Sequence, residues 1–234
     1  MTGWLPARLI ERTDQTPTGR TLRLEVAEWP GHLPGQHVDV RLTAPDGYHA
    51  VRSYSLAAPA DGRLLELGVQ STPGGEVSPY LADTLPLGAL VEVKGPLGGW
   101  FVWRPEERRP ALLVGGGCGV VPLMAMIRAR RRAGADDVPC ALVYSARGEE
   151  DVWYREELRS GEDGVPVRVV HTRHAPAGVA RPAGRVTADD LAGLLPPDGT
   201  RCYVCGPTGF VEHVTALLVR GGHPPNRIRA ERFG

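Results

Sequence analysis

The chain has no long apolar run. No stretch approaches the length needed to cross a bilayer, and Met1 to Asp14 carries neither an apolar core nor a small-residue cleavage site. A cytoplasmic protein without membrane association is the expectation. Charge of one sign is lacking too: 27 basic side chains meet 27 acidic ones, which argues against non-specific binding to nucleic acid or an anionic membrane. Lysine is almost missing, with Lys94 alone among arginines, and this reads as coding bias more than function. Cysteine is sparse: Cys118, Cys140, Cys202 and Cys205. Cys202 and Cys205 have C-x-x-C spacing, but no second pair completes a zinc or iron–sulfur site, and the four-cysteine pattern of a plant-type cluster is absent. Electron transfer by this chain would need a bound cofactor.

Residues 1–104 read as β-structure. Arg20 to Val26, Gln36 to Leu42 and Leu64 to Val69 alternate polar and apolar residues, and Leu90 to Lys94 is another short run. Turn signals separate them at Pro17-Thr18-Gly19, Pro34-Gly35, Pro45-Asp46-Gly47 and Asp61-Gly62. About six short strands with no long helix predict an antiparallel six-stranded barrel or sandwich.

Within it, Arg52-Ser53-Tyr54-Ser55 gathers a cation, an aromatic ring and two hydroxyls on one strand. Strand alternation puts Arg52 and Tyr54 on one face and Ser53 and Ser55 on the other. The set suits a flat, anionic ligand: Arg52 can hold a phosphate by paired hydrogen bonds, Tyr54 can stack on a ring and Ser55 can bond its edge. An ordinary half-exposed strand fits the four residues as well. Downstream, Pro73-Gly74-Gly75-Glu76-Val77-Ser78-Pro79 reads as a glycine-rich turn feeding a helix, with Ser78 as N-cap and Pro79 as first helical residue. Such a turn is either a plain cap or a second clamp on a pyrophosphate, with Glu76 facing solvent. Trp100 and Phe101 can line a ring pocket or plug a domain junction. Residues 105–110, charged and flanked by proline, read as a linker.

From Ala111 the periodicity changes. Ala111 to Val114 is continuously apolar, as in a buried parallel strand. Strand–helix pairs follow: a helix from Leu123 to Arg132, a strand from Ala141 to Ser145, a helix from Val152 to Leu158, a strand from Pro166 to Thr172. Next come a helix from Ala188 to Leu194 capped by Thr187, a strand from Arg201 to Cys205, a helix from Thr208 to Arg220, and a strand from Arg227 to Glu231. This alternation predicts an α/β doubly wound parallel sheet over residues 111–234. Ligands then bind at the carboxyl ends of the strands, where Gly115 to Gly119 lets a diphosphate approach the backbone. Ser145 and Arg147, with Arg155, can take a 2′-phosphate, which leans to NADPH over NADH, although Glu149, Glu150 and Asp151 leave an acidic ribose contact open. Cys205-Gly206-Pro207 ends a later strand on the same edge. Cys202 points to the other face, and Cys118, Cys140 and Cys202 read as small core residues. The arginine run 128–132 decorates a helix C-terminus or docks an acidic partner.

Taken in order, the Arg-x-Tyr-Ser strand, the glycine-rich helix start, the linker and the dinucleotide sheet with Cys-Gly-Pro resemble the ferredoxin–NADP reductase family of flavoproteins over nearly the whole chain. The resemblance implies that the barrel binds FAD, with FMN open, and that the parallel domain binds NADPH or NADH. It implies that Arg52, Ser53, Tyr54 and Ser55 hold the flavin phosphate and ring, with Val69 and Gln70 beside it, and that Gly75, Glu76, Val77 and Ser78 hold its phosphates. Many members carry Lys or Arg at the place of Gln70. Gly117, Cys118, Gly119, Val120 and Pro122 correspond to the dinucleotide segment, and Cys205, Gly206 and Pro207 to the nicotinamide side. Glu231-Arg232-Phe233-Gly234 resembles the family's terminal segment, with Glu231 near the reacting ring and Phe233 over the flavin. Ser55, Cys205 and Glu231 are the candidate catalytic residues. The implied activity is hydride transfer from NAD(P)H to flavin, then electron transfer to a separate acceptor: a ferredoxin, a haem protein or a small molecule. The rival is a non-catalytic flavin- or dinucleotide-binding subunit that docks on a redox partner.

Overall fold

The computed structural model describes residues 3–161 and 164–233. Gly234, the last residue of the terminal segment, lies outside the described residues. Strands β1 (Leu5–Asp14), β2 (Gly19–Glu25), β3 (His37–Thr43), β4 (His49–Ser55), β5 (Leu64–Gln70) and β6 (Leu90–Leu97) pair antiparallel in the order β4-β3-β6-β1-β2-β5. Leu56 bridges to Leu67, and Ala57 N–H donates to Glu66 O at 2.7 Å, so the edge strands meet and the sheet closes. The period-2 pattern fills its interior with Leu22, Leu24, Val38, Val40, Leu65, Leu67, Val69, Val91 and Val93, all buried. Strand β1 has no sequence counterpart above. Only Ala7 and Leu9 of its ten residues are buried, Pro6 sits within it, and a register shift falls between Leu9 and Glu11.

The second sheet contains β7 (Ala111–Gly116), β8 (Cys140–Ala146), β9 (Val167–His171), β10 (Arg201–Pro207) and β11 (Ile228–Phe233). All pair parallel, in the order β11-β10-β7-β8-β9. Helices α1 (Val120–Arg132), α2 (Arg155–Ser160), α3 (Ala188–Leu191) and α4 (Thr208–Arg220) accompany it. Leu113, Leu142, Tyr203 and Cys205 pack on the α1 face; Leu112, Val143, Cys202 and Val204 pack on the face carrying α3 and α4. Cys202 and Cys205 therefore diverge, as a three-residue step on a strand requires. All four cysteines are free thiols.

Several helix boundaries differ from the sequence reading. The helix expected at Val152 begins at Arg155, because Val152 and Trp153 are drawn into the core and Trp153 N–H donates to the buried Tyr144 hydroxyl at 3.3 Å. Thr187 does cap α3, with Asp190 accepting from its N–H at 2.7 Å and its hydroxyl at 2.9 Å, but the helix stops at Leu191. Ser78 is not an N-cap. Its hydroxyl reaches back to accept from Thr72 N–H at 3.2 Å, and a π-helical turn, Tyr80–Thr84, follows.

The barrel and the parallel sheet have separate apolar cores and meet at a buried junction. Phe101, Val102 and Trp103 are buried at the junction, with Tyr203 Oη donating to Val102 O at 3.1 Å and Trp103 N–H to Pro34 O at 3.1 Å. The plug reading therefore applies to Phe101, whereas Trp100 is 62 % exposed. A β-carbon at Gly68 would overlap the Val121 side chain, so only glycine lets β5 lie this close to α1.

Arg128 ties the halves together. Its Nη1 donates to Ala57 O at 2.9 Å and meets Glu66 Oε1 at 2.6 Å, both from the barrel. Its Nε and Nη2 hold Glu157 of α2 at 2.9 and 2.6 Å, and its guanidinium lies 4.9 Å from the Tyr154 ring centroid. Arg130 is buried against Val138 O at 2.9 Å, and Arg132 donates to Ala60 O at 2.7 Å. Arg128 and Arg130 are thus internal fastenings, whereas Arg131 and Arg132 stay exposed at the helix end. Removing one partner from such a network strands the others, so Arg128→Ala should cost about 3–5 kcal/mol in urea unfolding. A loss below about 1 kcal/mol would show that the clamp does not hold the halves together.

Candidate active site at the domain junction

A cleft of about 210 Å³ opens where the carboxyl ends of the parallel strands face the barrel. Thr16 and Gln70 line it from the barrel side. Gly116, Gly117, Cys118, Ser145, Arg147, Pro207 and Phe233 line it from the sheet. Parallel strands β7, β8 and β10 all deliver their C-terminal residues to this edge, which is why residues far apart in sequence meet here.

Gly119 shows how tight the edge is. A β-carbon there would overlap the Cys205 carbonyl, so the turn after β7 packs directly on the end of β10. Gly117 faces the cleft instead. The loop glycines thus divide between internal packing and ligand approach. Val120 and Pro122 are buried at the start of α1 and offer no side chain to the cleft.

The β10–β11 register places Cys205 opposite Glu231, Gly206 opposite Arg232 and Pro207 opposite Phe233. Burial pushes the Cys205 thiol well above its usual range, and the nearby Glu231 charge and Cys118 push the same way. Burial raises Cys118 to about 11. Both are neutral thiols near pH 7, suited to packing beside a ring and unsuited to nucleophilic attack. Burial also raises Glu231 to about 7, so this carboxyl exchanges its proton in the neutral range.

The Arg-x-Tyr-Ser strand forms a second constellation, on the barrel and outside the cleft lining. The Arg52 side chain is 57 % exposed and its Nη2 lies 3.8 Å from Glu76 Oε2. The turn carrying Gly75, Glu76, Val77 and Ser78 is thus brought to Arg52, and Glu76, exposed as expected, also faces Arg52. Tyr54 is packed into the barrel core with 9 % exposed, deeper than a free stacking surface. Its phenol is pushed up to about 12 by burial, against an opposing pull from Arg52. Ser53 turns to the other face, where its hydroxyl donates to Asp39 Oδ1 at 2.6 Å. Ser55 is half-buried opposite His37. Val69 is fully buried in the barrel and Cys205 at the end of β10, and neither side chain lines the cleft. Arg155 opens α2 and does not line the cleft.

Asp151, held open as an acidic ribose contact, lines the cleft, and sequence reasoning missed Thr16, Trp153, Thr172 and Phe210, which also line it. Phe210 follows Cys-Gly-Pro closely enough to have been noticed; the others sit in turns with no pattern of their own.

An oxidoreductase FAD-binding domain model matches residues 6–102, and an oxidoreductase NAD-binding domain model matches residues 113–216. The reductase component of the naphthalene 1,2-dioxygenase/salicylate 5-hydroxylase systems of Ralstonia sp is 34 % identical over 237 residues, covering 97 % of this chain and 70 % of that one. This chain belongs to the ferredoxin–NADP reductase-like flavoprotein oxidoreductases. Ferredoxin–NADP reductase B of Sorangium cellulosum is also 34 % identical, over 97 % of this chain and 96 % of its own. An Amycolatopsis cytochrome P450 reductase structure superposes with a TM-score of 0.85 at 30 % identity, covering 99 % of this chain and 70 % of that one. As a member of this family the chain is an NAD(P)H-dependent reductase that uses FAD. The residues present fit both groups: the exposed Arg52 guanidinium can pair with a phosphate, and the strand edge at Gly116 and Gly117 leaves room for a dinucleotide. Among the described residues no helix is long and apolar enough to cross a membrane.

Glu231 yields a pH test. Its pKa is raised on folding from 4.5 to about 7, so its stabilising contribution is fully present below pH 4.5 and is lost as pH rises to about 7. The loss amounts to about 3 kcal/mol. Glu231→Gln should therefore unfold at higher urea than wild type at pH 8 and lose that advantage near pH 4.5. An identical offset at both pH values would contradict the burial.

Proposed function

We propose that the chain takes a hydride from NADPH or NADH at the junction cleft and delivers electrons to a separate acceptor protein. The observation that carries this reading is the convergence of Gly117, Cys118, Pro207 and Phe233 with the barrel residue Gln70 on one cleft, while strand register sets Cys205 beside Glu231 behind its edge. Bound FAD supplies the redox chemistry, accepting a hydride and releasing electrons one or two at a time. The protein's part is positioning. Arg52 with the backbone of Gly75 to Ser78 holds the flavin phosphates, while Tyr54 and Ser55 orient the ring. Neutral Cys118 packs beside the nicotinamide, with neutral Cys205 buried behind it, so no thiolate charge is placed there. Glu231 holds or releases a proton at its carboxyl oxygen, and Phe233 excludes water. We assign residues 1–104 to flavin, 105–110 to a linker and 111–234 to the dinucleotide, and place the protein in the cytoplasm, where free thiols and NAD(P)H occur together.

The acceptor reading draws on the relatives named as reductase components of oxygenase systems, and an iron–sulfur protein is the acceptor class we favour. NAD(P)H-driven reduction of a purified [2Fe–2S] ferredoxin should exceed reduction of free quinone at equal concentration. Faster quinone reduction would point to a small-molecule acceptor instead. We assign the 2′-phosphate contact to Arg147 with Ser145. Arg147→Ala should raise KM for NADPH about tenfold, the scale of one charged hydrogen bond, and leave NADH nearly unchanged. Equal effects on the two would remove Arg147 from that role.

A further inference from the structure

Glu76 is an unexpected residue in a phosphate cradle. Its carboxylate lies 3.8 Å from the Arg52 guanidinium and accepts from the Tyr48 hydroxyl, at 3.3 Å to each oxygen. The turn beneath it is fixed: Gly75 N–H donates to Thr72 O at 2.9 Å, and Thr72 N–H donates to Ser78 Oγ at 3.2 Å. The Arg52 and Glu76 side chains are 57 % and 54 % exposed, so both reach a ligand while the barrel stays in place.

A phosphate that binds Arg52 displaces this carboxylate. Glu76 then sits beside the phosphate as an acceptor-only group, still holding Tyr48 and seeking a further donor. The two flavin nucleotides differ at this point. FMN ends there in a phosphomonoester, with up to two negative charges on one phosphorus near neutral pH and no donor beyond it. FAD carries a single charge on each of two phosphates, then continues into an adenosine whose ribose hydroxyls and amino group are all donors.

We propose that Glu76, assisted by Tyr48, makes this site select FAD over FMN, by repelling a terminal phosphate dianion and accepting a hydrogen bond from the adenosine of FAD. The proposal rests on Arg52 and Gly75 to Ser78 being the flavin phosphate site. Selectivity of this kind combines one attraction with one repulsion in a single side chain.

The test is a competition on the full chain. Wild type, Glu76→Gln, Glu76→Asp and Tyr48→Phe are equilibrated with equal concentrations of FAD and FMN, freed of unbound flavin, and denatured so that the released flavins can be resolved and counted. Wild type should hold FAD in large excess. Glu76→Gln should lower the FAD:FMN ratio by about tenfold, the scale of one like-charge contact. Glu76→Asp should keep most of the preference, and Tyr48→Phe should move the ratio in the same direction as Glu76→Gln but less. An unchanged ratio in Glu76→Gln, with flavin still bound, would overturn the proposal and leave the flavin site standing. If wild type retains neither flavin, the site reading itself falls and the proposal with it.

Discussion

The whole arrangement depends on the fastening at Arg128. Hydride transfer between two bound rings needs their separation fixed to within a fraction of an ångström, and here each ring belongs to a different sheet. Arg128 engages Glu66 and Ala57 O from the barrel and Glu157 from α2 in one planar fork, which only a guanidinium can do. Around it, Gly68 admits Val121, and Phe101 to Trp103 fill the gap between the sheets. The parts of the junction reinforce one another: the charged network sets direction, and the apolar contacts exclude the water that would weaken it.

At the cleft, burial determines the chemistry. Water exclusion keeps Cys118 and Cys205 protonated and brings Glu231 to titrate near neutrality. Two neutral thiols and one carboxyl that titrates near neutrality thus gather around the end of β10. Charged side chains lie in two places: Arg147 and Asp151 line the cleft, and Arg52 pairs with Glu76 on the barrel.

Much of this was legible in the residue order. The switch from period-2 alternation to apolar strands at Ala111 marked the change of architecture, and strand alternation separated Cys202 from Cys205. What escaped had physical reasons. Strand β1 buries only two apolar residues, so it leaves almost no pattern. The start of α2 is set by the pull of Val152 and Trp153 into a core that no local window contains. Arg128 looked like helix-end decoration because two of its partners, Glu66 and Ala57, lie 62 and 71 positions away. Glu76 is solvent-facing as its sequence suggested, but its pairing escaped for the same reason, since Tyr48 and Arg52 reach it across the fold.

The most direct test of the account is a visible spectrum of the purified protein before and after anaerobic NADPH, and separately NADH. The account predicts flavin bands that bleach on addition of at least one of the two. A protein that takes up no flavin, or whose flavin bands persist with both nucleotides, would contradict it.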